Sequence, residues 1–290
     1  MNIYSIAEAA KPYTDYDLIR ENTELPEFPN YRAQLLYTFL HKSSPFVEQS
    51  ELYALVVSLA QMGLDTHELV SETNEQKEKK EVRARQLRVL AGDYFSSRFY
   101  QLLAQAGQVE LTRQVAAAIC EVNRLKMNLY TKMRQWKVTA DEYFQYSVNI
   151  KTQLYMAFSK MIDGAGPNRW TEMLNSYTRC EVILDELRQV EENGFRSGWV
   201  FWHLLQVGTK EERKLLKKKQ QPEMFRTLLH KYNVKELLLQ MMDIHVKQLL
   251  ENIRSLNSDK LAQELYKIGE PFIRALETPI VLERGEPAWK

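Results

Sequence analysis

The chain has 290 residues, 44% of them hydrophobic and 27% charged, enough apolar material for one large or two ordinary folded domains. Thirty-nine basic against thirty-eight acidic side chains leave a net charge of +1, which excludes a global field that would gather nucleic acid or an acidic membrane, so any anion site is local. The two cysteines, Cys120 and Cys180, lie far apart without metal-ligand neighbours, which excludes a disulfide scaffold and points to a reducing cytoplasm.

From the N-terminus, Met1 to Asp17 carries Glu8 and Lys11, lacks the apolar run of a signal peptide and reads as a loosely ordered segment. Breaks follow at Pro26 to Asn30 and Ser43 to Pro45. Tyr53 to Ala60, the longest plain apolar segment, is far too short to span a bilayer. Glu72 to Arg88 mixes both charges and reads as an exposed helix. After a break at Gly107, no glycine or proline occurs from Gln108 to Asp163, and Leu111, Val115, Ala118, Val122, Leu125 and Leu129 recur at helical spacing. Gly164 to Pro167 ends that stretch. Asn175 to Val190 forms a helix, Gly194 to Gly198 a break, and Trp199 to Val207 a short aromatic helix. Further breaks fall at Gly208 to Lys210 and Gln221 to Pro222. From Glu223 to Ile268 glycine and proline are again absent, with Val234, Leu237, Leu238, Met241 and Ile244 on a helical stripe. Gly269 to Pro271 is the last break, and Thr278 to Lys290 a loosely held tail. The fold class is therefore all-α: roughly eight to ten helices in a single bundle spanning 1–290, with no alternating strand pattern and no solenoid repeat.

Two segments carry a family resemblance. Leu90-Ala91-Gly92-Asp93-Tyr94-Phe95-Ser96-Ser97-Arg98-Phe99 is similar to the L-x-G-D-x-L helix of long-chain trans-prenyl diphosphate synthases. Glu142 to Ala165 is similar to the segment in which those enzymes place Lys-Thr, here Lys151-Thr152, followed by a small pair, here Gly164-Ala165. The whole-chain pattern from about Leu25 to Leu276 resembles the component I, or small-subunit, family of bacterial heterodimeric heptaprenyl diphosphate synthases. That resemblance implies an isoprenoid-synthase-like bundle whose catalytic partner carries the aspartate-rich motifs and the Mg²⁺. It implies that the pair extends an allylic diphosphate with isopentenyl diphosphate to make the side-chain precursor of menaquinone. It implies further that Lys151 and Thr152 are the substrate-binding candidates, and that Gly92, Asp93, Tyr94, Phe95 and Phe99 belong to the partner interface or the tunnel wall.

The residues agree with a division of labour. A D-D-x-x-D helix presents carboxylates at i, i+1 and i+4 on one side, where they hold magnesium against a leaving diphosphate. Upstream of Asp93 this chain reads Leu64-Asp65-Thr66-His67-Glu68, and downstream of Pro167 it reads Asp185-Glu186-Leu187-Arg188-Gln189, with Gln189 in the third acidic position. Both are incomplete, so no catalytic residue and no metal or other cofactor is expected in this chain. A heptaprenyl tail left in water costs roughly tens of kcal/mol, at about 0.8 kcal/mol per methylene-sized group, so a second subunit has a physical use as a tunnel wall.

Bland readings stand beside the sharp ones. Gly92-Asp93 also suits a close-packing point, Lys151-Thr152 a surface lysine beside a helix threonine, and the aromatics from Tyr94 to Tyr100 plain core. His203 and His245 read as structural, since no H-E-x-x-H, nucleophile elbow or phosphate-cradling glycine loop is present. The run from Lys210 to Lys219 holds six cations and two anions behind Trp199, Phe201 and Trp202. It reads as a solvated helix end, with peripheral contact on an anionic membrane as the functional alternative. Two rivals to the non-catalytic subunit stay open: a helical adaptor or membrane-peripheral scaffold, and an independent prenyltransferase or terpene synthase using Asp65, Glu68, Asp185 and Glu186.

Overall fold

Where the chain runs without glycine or proline it forms long helices, and where tight turns intervene it uses left-handed residues. The computed structural model describes residues 5–22, 24–43, 45–70, 79–163, 168–191, 198–218, 222–256 and 258–277. Among them are fourteen helices and no strand: α1 Ile6–Thr14, α2 Asp17–Asn22, α3 Asn30–Ser43, α4 Ser50–Glu68, α5 Lys79–Gln105, α6 Val109–Arg134, α7 Ala140–Met156, α8 Ser159–Asp163, α9 Arg169–Glu191, α10 Trp199–Val207, α11 Lys210–Lys217, α12 Pro222–Lys231, α13 Val234–Arg254 and α14 Asp259–Glu277. The expected all-α class stands. The small pair Gly164-Ala165, most of the break before Gly198 and the tail from Thr278 lie outside the described residues.

The helices group into two compact units, Met1–Glu121 with Gln153–Trp170, and Val122–Thr152 with Thr171–Lys290, a division that glycine and proline do not mark. In the first unit α4 is the central helix. Every residue from Tyr53 to Gly63 is buried, as an all-round apolar helix requires, and α1, α3 and α5 pack against it. The N-terminal segment, expected to be loose, forms α1, with Ile6 and Ala10 fully buried. α4 and α5 approach closely at two glycines: a Cβ on Gly63 would stand 2.6 Å from Ser96 Oγ and 3.1 Å from the Gly92 carbonyl oxygen. A Cβ on Gly92 would stand 2.6 Å from the His67 ring, so Gly92 is a packing point as well. At the end of α5 the Gln108 and Gly107 amides donate to the carbonyls of Leu103 and Ala104, with Gly107 at φ +66°, a helix stop in which the chain needs the left-handed region.

The second unit differs from the sequence reading at three places. α6 stops without a glycine: Lys137 and Trp136 amides donate to the carbonyls of Lys132 and Met133, with Trp136 at φ +57°. An aromatic residue there costs about 1–2 kcal/mol of backbone strain. The expected break at Gly269 to Pro271 is absent, because α14 continues through Pro271. Its stripe of Leu261, Leu265, Ile268, Phe272 and Ala275 is buried on both sides of the proline, and that burial outweighs the ~3 kcal/mol an internal proline costs. On α13 the buried stripe is Val234, Leu238, Met242, Val246, Leu249 and Ile253, whereas Ile244 is 63% exposed. Adjacent apolar residues at Met241 and Met242 make that register ambiguous in sequence.

Candidate functional site

The chemistry-bearing side chains of the second unit converge where α7 faces α9. Glu181 and Asp185 are four residues apart on α9 and so share one face, opposite Lys151. The Lys151 ammonium donates to Asp185 Oδ2 at 2.9 Å and to Glu181 Oε1 at 3.2 Å. Arg188 Nη1 lies 3.9 Å from Asp185 Oδ1. Thr152, the other substrate-binding candidate, is buried, and its hydroxyl donates to the Asn149 carbonyl at 3.2 Å. A diphosphate arriving at Lys151 would have to displace two carboxylates, and Thr152 has its hydroxyl turned into its own helix.

Glu186 does something else. It is buried, and its two carboxylate oxygens accept from the Trp199 amide at 2.7 Å and the Val200 amide at 3.2 Å, the first two residues of α10. A carboxylate from α9 therefore satisfies open donors at the start of α10, where the helix dipole favours negative charge. Burial is the larger influence on it and raises its pKa, the two amide bonds acting in the opposite direction. Gly198 admits this carboxylate, since a Cβ there would lie 2.3 Å from Glu186 Oε1.

Magnesium asks for a near-octahedral set of oxygens, several of them water. The α9 carboxylates do not fit: two hold an ammonium and the third is turned onto the backbone of α10. On α4, Asp65 Oδ1 accepts from Gln61 Nε2 at 2.7 Å. Among the described residues no group of three or more His, Cys, Asp or Glu side chains is placed to hold a metal ion.

The α5 motif separates into inner and outer residues. Ala91, Phe95, Phe99 and Leu103 form a fully buried row, so Phe95 and Phe99 present no surface to a partner or to an open channel. Tyr94 is half-buried under the Arg98 guanidinium, 4.9 Å from its ring centre. Asp93 is exposed, with its carboxylate 3.5 Å from His67 Nε2. Leu90, 61% exposed, and Tyr100, 45% exposed, are outward apolar residues here; Tyr100, read from the sequence as plain core, instead lies on the solvent side of α5, and sequence spacing does not single out Leu90.

His203 stacks on Trp199 and His245 on Phe144, with ring centres 4.9 and 5.7 Å apart. Burial lowers both pKa values below the usual 6.5, Asp141 opposing the shift at His203 and Arg179 adding to it at His245. A depressed imidazole pKa gives stability that is present above the unfolded value and lost as pH falls through the folded one. The melting temperature should accordingly drop on acidification below about pH 6.5, and a His203→Phe, His245→Phe double variant should show a smaller drop in differential scanning fluorimetry.

Trp199, Phe201 and Trp202, read as core in preference to a peripheral contact, are buried. No helix among the described residues is long and apolar enough to cross a membrane.

A family model described as heptaprenyl diphosphate synthase (HEPPP synthase) subunit 1 matches residues 16–233. A heptaprenyl diphosphate synthase component 1 from Geobacillus stearothermophilus is 31% identical over 147 residues, which is 51% of this chain and 62% of that relative, so less than two thirds of its length is matched. Among solved structures, a geranylgeranyl pyrophosphate synthase from Lactobacillus brevis complexed with citrate gives a TM-score of 0.68 at 13% identity, covering 93% of this chain and 96% of that one. A decaprenyl diphosphate synthase from Rhodobacter capsulatus gives 0.62 at 17% identity, covering 93% and 98%. At such identities the likeness is one of fold.

Proposed function

Because the chain belongs to the heptaprenyl diphosphate synthase subunit 1 family, we propose that it is the non-catalytic, regulatory subunit of a heteromeric all-trans heptaprenyl diphosphate synthase serving menaquinone side-chain synthesis. Its partner supplies the aspartate-rich motifs, the Mg²⁺ and the ionisation of the allylic diphosphate. This chain completes the assembly and bounds the growing tail. The observation that carries the reading is the use made of the α9 carboxylates: Lys151 lies between Glu181 and Asp185, and Glu186 is committed to the start of α10. A site whose charges are already neutralised from within holds neither a metal ion nor a diphosphate cheaply. Lys151 on this view fastens α7 to α9, and the outer face of α5, with Leu90 and Tyr100, meets the partner.

The test is reconstitution. The purified chain, given Mg²⁺, farnesyl diphosphate and isopentenyl diphosphate, should release no prenyl product, and adding the catalytic subunit should give a long all-trans chain. A Lys151→Gln variant in the reconstituted pair should keep its rate within about threefold, as expected for a group that does not touch the transferring phosphate. Turnover by the chain alone would overturn the reading and point to Asp65, Glu68, Asp185 and Glu186 as a working metal site. Binding to the partner with no change in its turnover or product length would also overturn it, in favour of a passive adaptor.

A further inference from the structure

The turn between α6 and α7 meets the α10–α11 corner at an exposed face that includes neither Lys151 nor the α9 carboxylates. The contact is direct: the Ala140 amide donates to Gln206 Oε1 at 2.6 Å, and Arg213 Nη2 donates to the Gln206 carbonyl at 2.9 Å. Trp136 stands at the centre of this face. Its ring lies 6.3 Å from Phe201 and 5.9 Å from Trp202, both buried, while Trp136 itself remains 43% exposed. Its left-handed backbone is a conformation glycine would adopt more readily, yet an indole is displayed there.

One cation sits on that indole, and further exposed basic residues lie on the same two segments. The Lys217 ammonium sits 4.6 Å from the ring centre. Lys210, Lys214 and Lys217 follow one another by four and three residues, so they share a face of α11, all exposed, while Leu216 is buried. Arg134 and Lys137, exposed, flank Trp136 in the chain, and Arg213 and Lys218 are exposed as well. Of the nearby acids, Glu212 is drawn off the face: its carboxylate accepts from the Thr209 amide, Lys231 and the Tyr232 hydroxyl. Glu211 and Asp141 are the exposed acids that remain.

We propose that this face docks the protein on an anionic lipid surface, with the Trp136 indole at headgroup depth and the basic side chains on lipid phosphates. An indole is apolar in body and polar at its N–H, which suits the membrane–water boundary, and a lysine stripe beside it supplies the long-range attraction that a chain of net charge +1 lacks as a whole. The charge complementarity is local: Lys210 and Lys214 are exposed on the short helix α11, and Lys217 holds its charge beside the indole. The site is separate from Lys151 and the α9 carboxylates, so it stands or falls independently of the proposed role in prenyl transfer.

Sedimentation of the full chain with vesicles tests it. Protein should pellet with phosphatidylcholine vesicles that contain phosphatidylglycerol, and stay in solution with phosphatidylcholine alone or at high salt. Each basic side chain near an anionic surface strengthens binding about fivefold, so Lys214→Glu, Lys217→Glu together should weaken it at least about thirtyfold. Trp136→Gly, which suits the left-handed backbone and so preserves the fold, should weaken it about tenfold, with circular dichroism unchanged. Absence of binding to the anionic vesicles, or binding equally strong in both variants, overturns the assignment. So does capture by RNA or by the catalytic subunit through these residues when vesicles are ignored.

Discussion

Replacing Glu186 with alanine should lower the unfolding free energy of the chain by about 2–4 kcal/mol, measured by urea denaturation. Two amides at the start of α10 lose their acceptor, and Trp199 and Val200 are both buried. Against this, alanine also removes a carboxylate that burial disfavours. Two orphaned donors at about 1–3 kcal/mol each outweigh the relieved desolvation. The pH dependence gives the sign. A folded pKa raised above the unfolded value contributes stability that is complete below the unfolded pKa and lost as pH rises through the folded one. The deficit of the variant should therefore be largest in mild acid and narrow as the pH rises. Gly198→Ala offers a second route to the same contact, because its Cβ would fall 2.3 Å from Glu186 Oε1. It should be clearly destabilising in the native background and nearly silent once Glu186 is alanine, a coupling that a double-mutant cycle measures. A Glu186→Ala variant within about 0.5 kcal/mol of the parent would show that the carboxylate does not hold α10.

What the sequence makes legible follows from local physics. The stop at Gly107 and the start of α10 at Trp199 are visible because glycine and a dense apolar run act within a few residues. The stop at Trp136 is not, since nothing in its side chain announces a left-handed backbone; only the helix-end hydrogen bonds reveal it. The helix through Pro271 is hidden for the opposite reason: a local breaker is overruled by burial that the isolated segment does not display. At the site, the acidic remnant Asp185-Glu186 can be recognised in the chain, but its orientation cannot. Lys151 meets partners 30 and 34 residues away, and Glu186 meets amides 13 and 14 residues ahead across a break. Whether a carboxylate faces a cation, a metal or a helix end is decided by tertiary placement, which spacing does not encode. The same holds for α5, where the motif aromatics and the outward apolar residues are interleaved, and only burial tells Phe95 from Leu90.

That distinction carries the other large effect. Phe95→Ala removes a fully buried ring and should cost about 3–5 kcal/mol of stability. Loss of function in that variant would then follow from the fold. Leu90→Glu changes an exposed residue to a good helix former and should leave stability within about 1 kcal/mol. If α5 meets the catalytic subunit by its outer face, the same change puts a charge where an apolar side chain is covered. Such a central position is worth about 2 kcal/mol or more, so association should weaken at least about thirtyfold in a titration of labelled chain with partner. Stability and pairing are therefore expected to separate cleanly between the two variants, one lost at Phe95 and the other at Leu90. Pairing undisturbed by Leu90→Glu would move the interface away from the Leu90 end of α5, because Phe95 and Phe99 on the inner row are fully buried and Tyr100, 45% exposed, is an outward apolar residue that then remains.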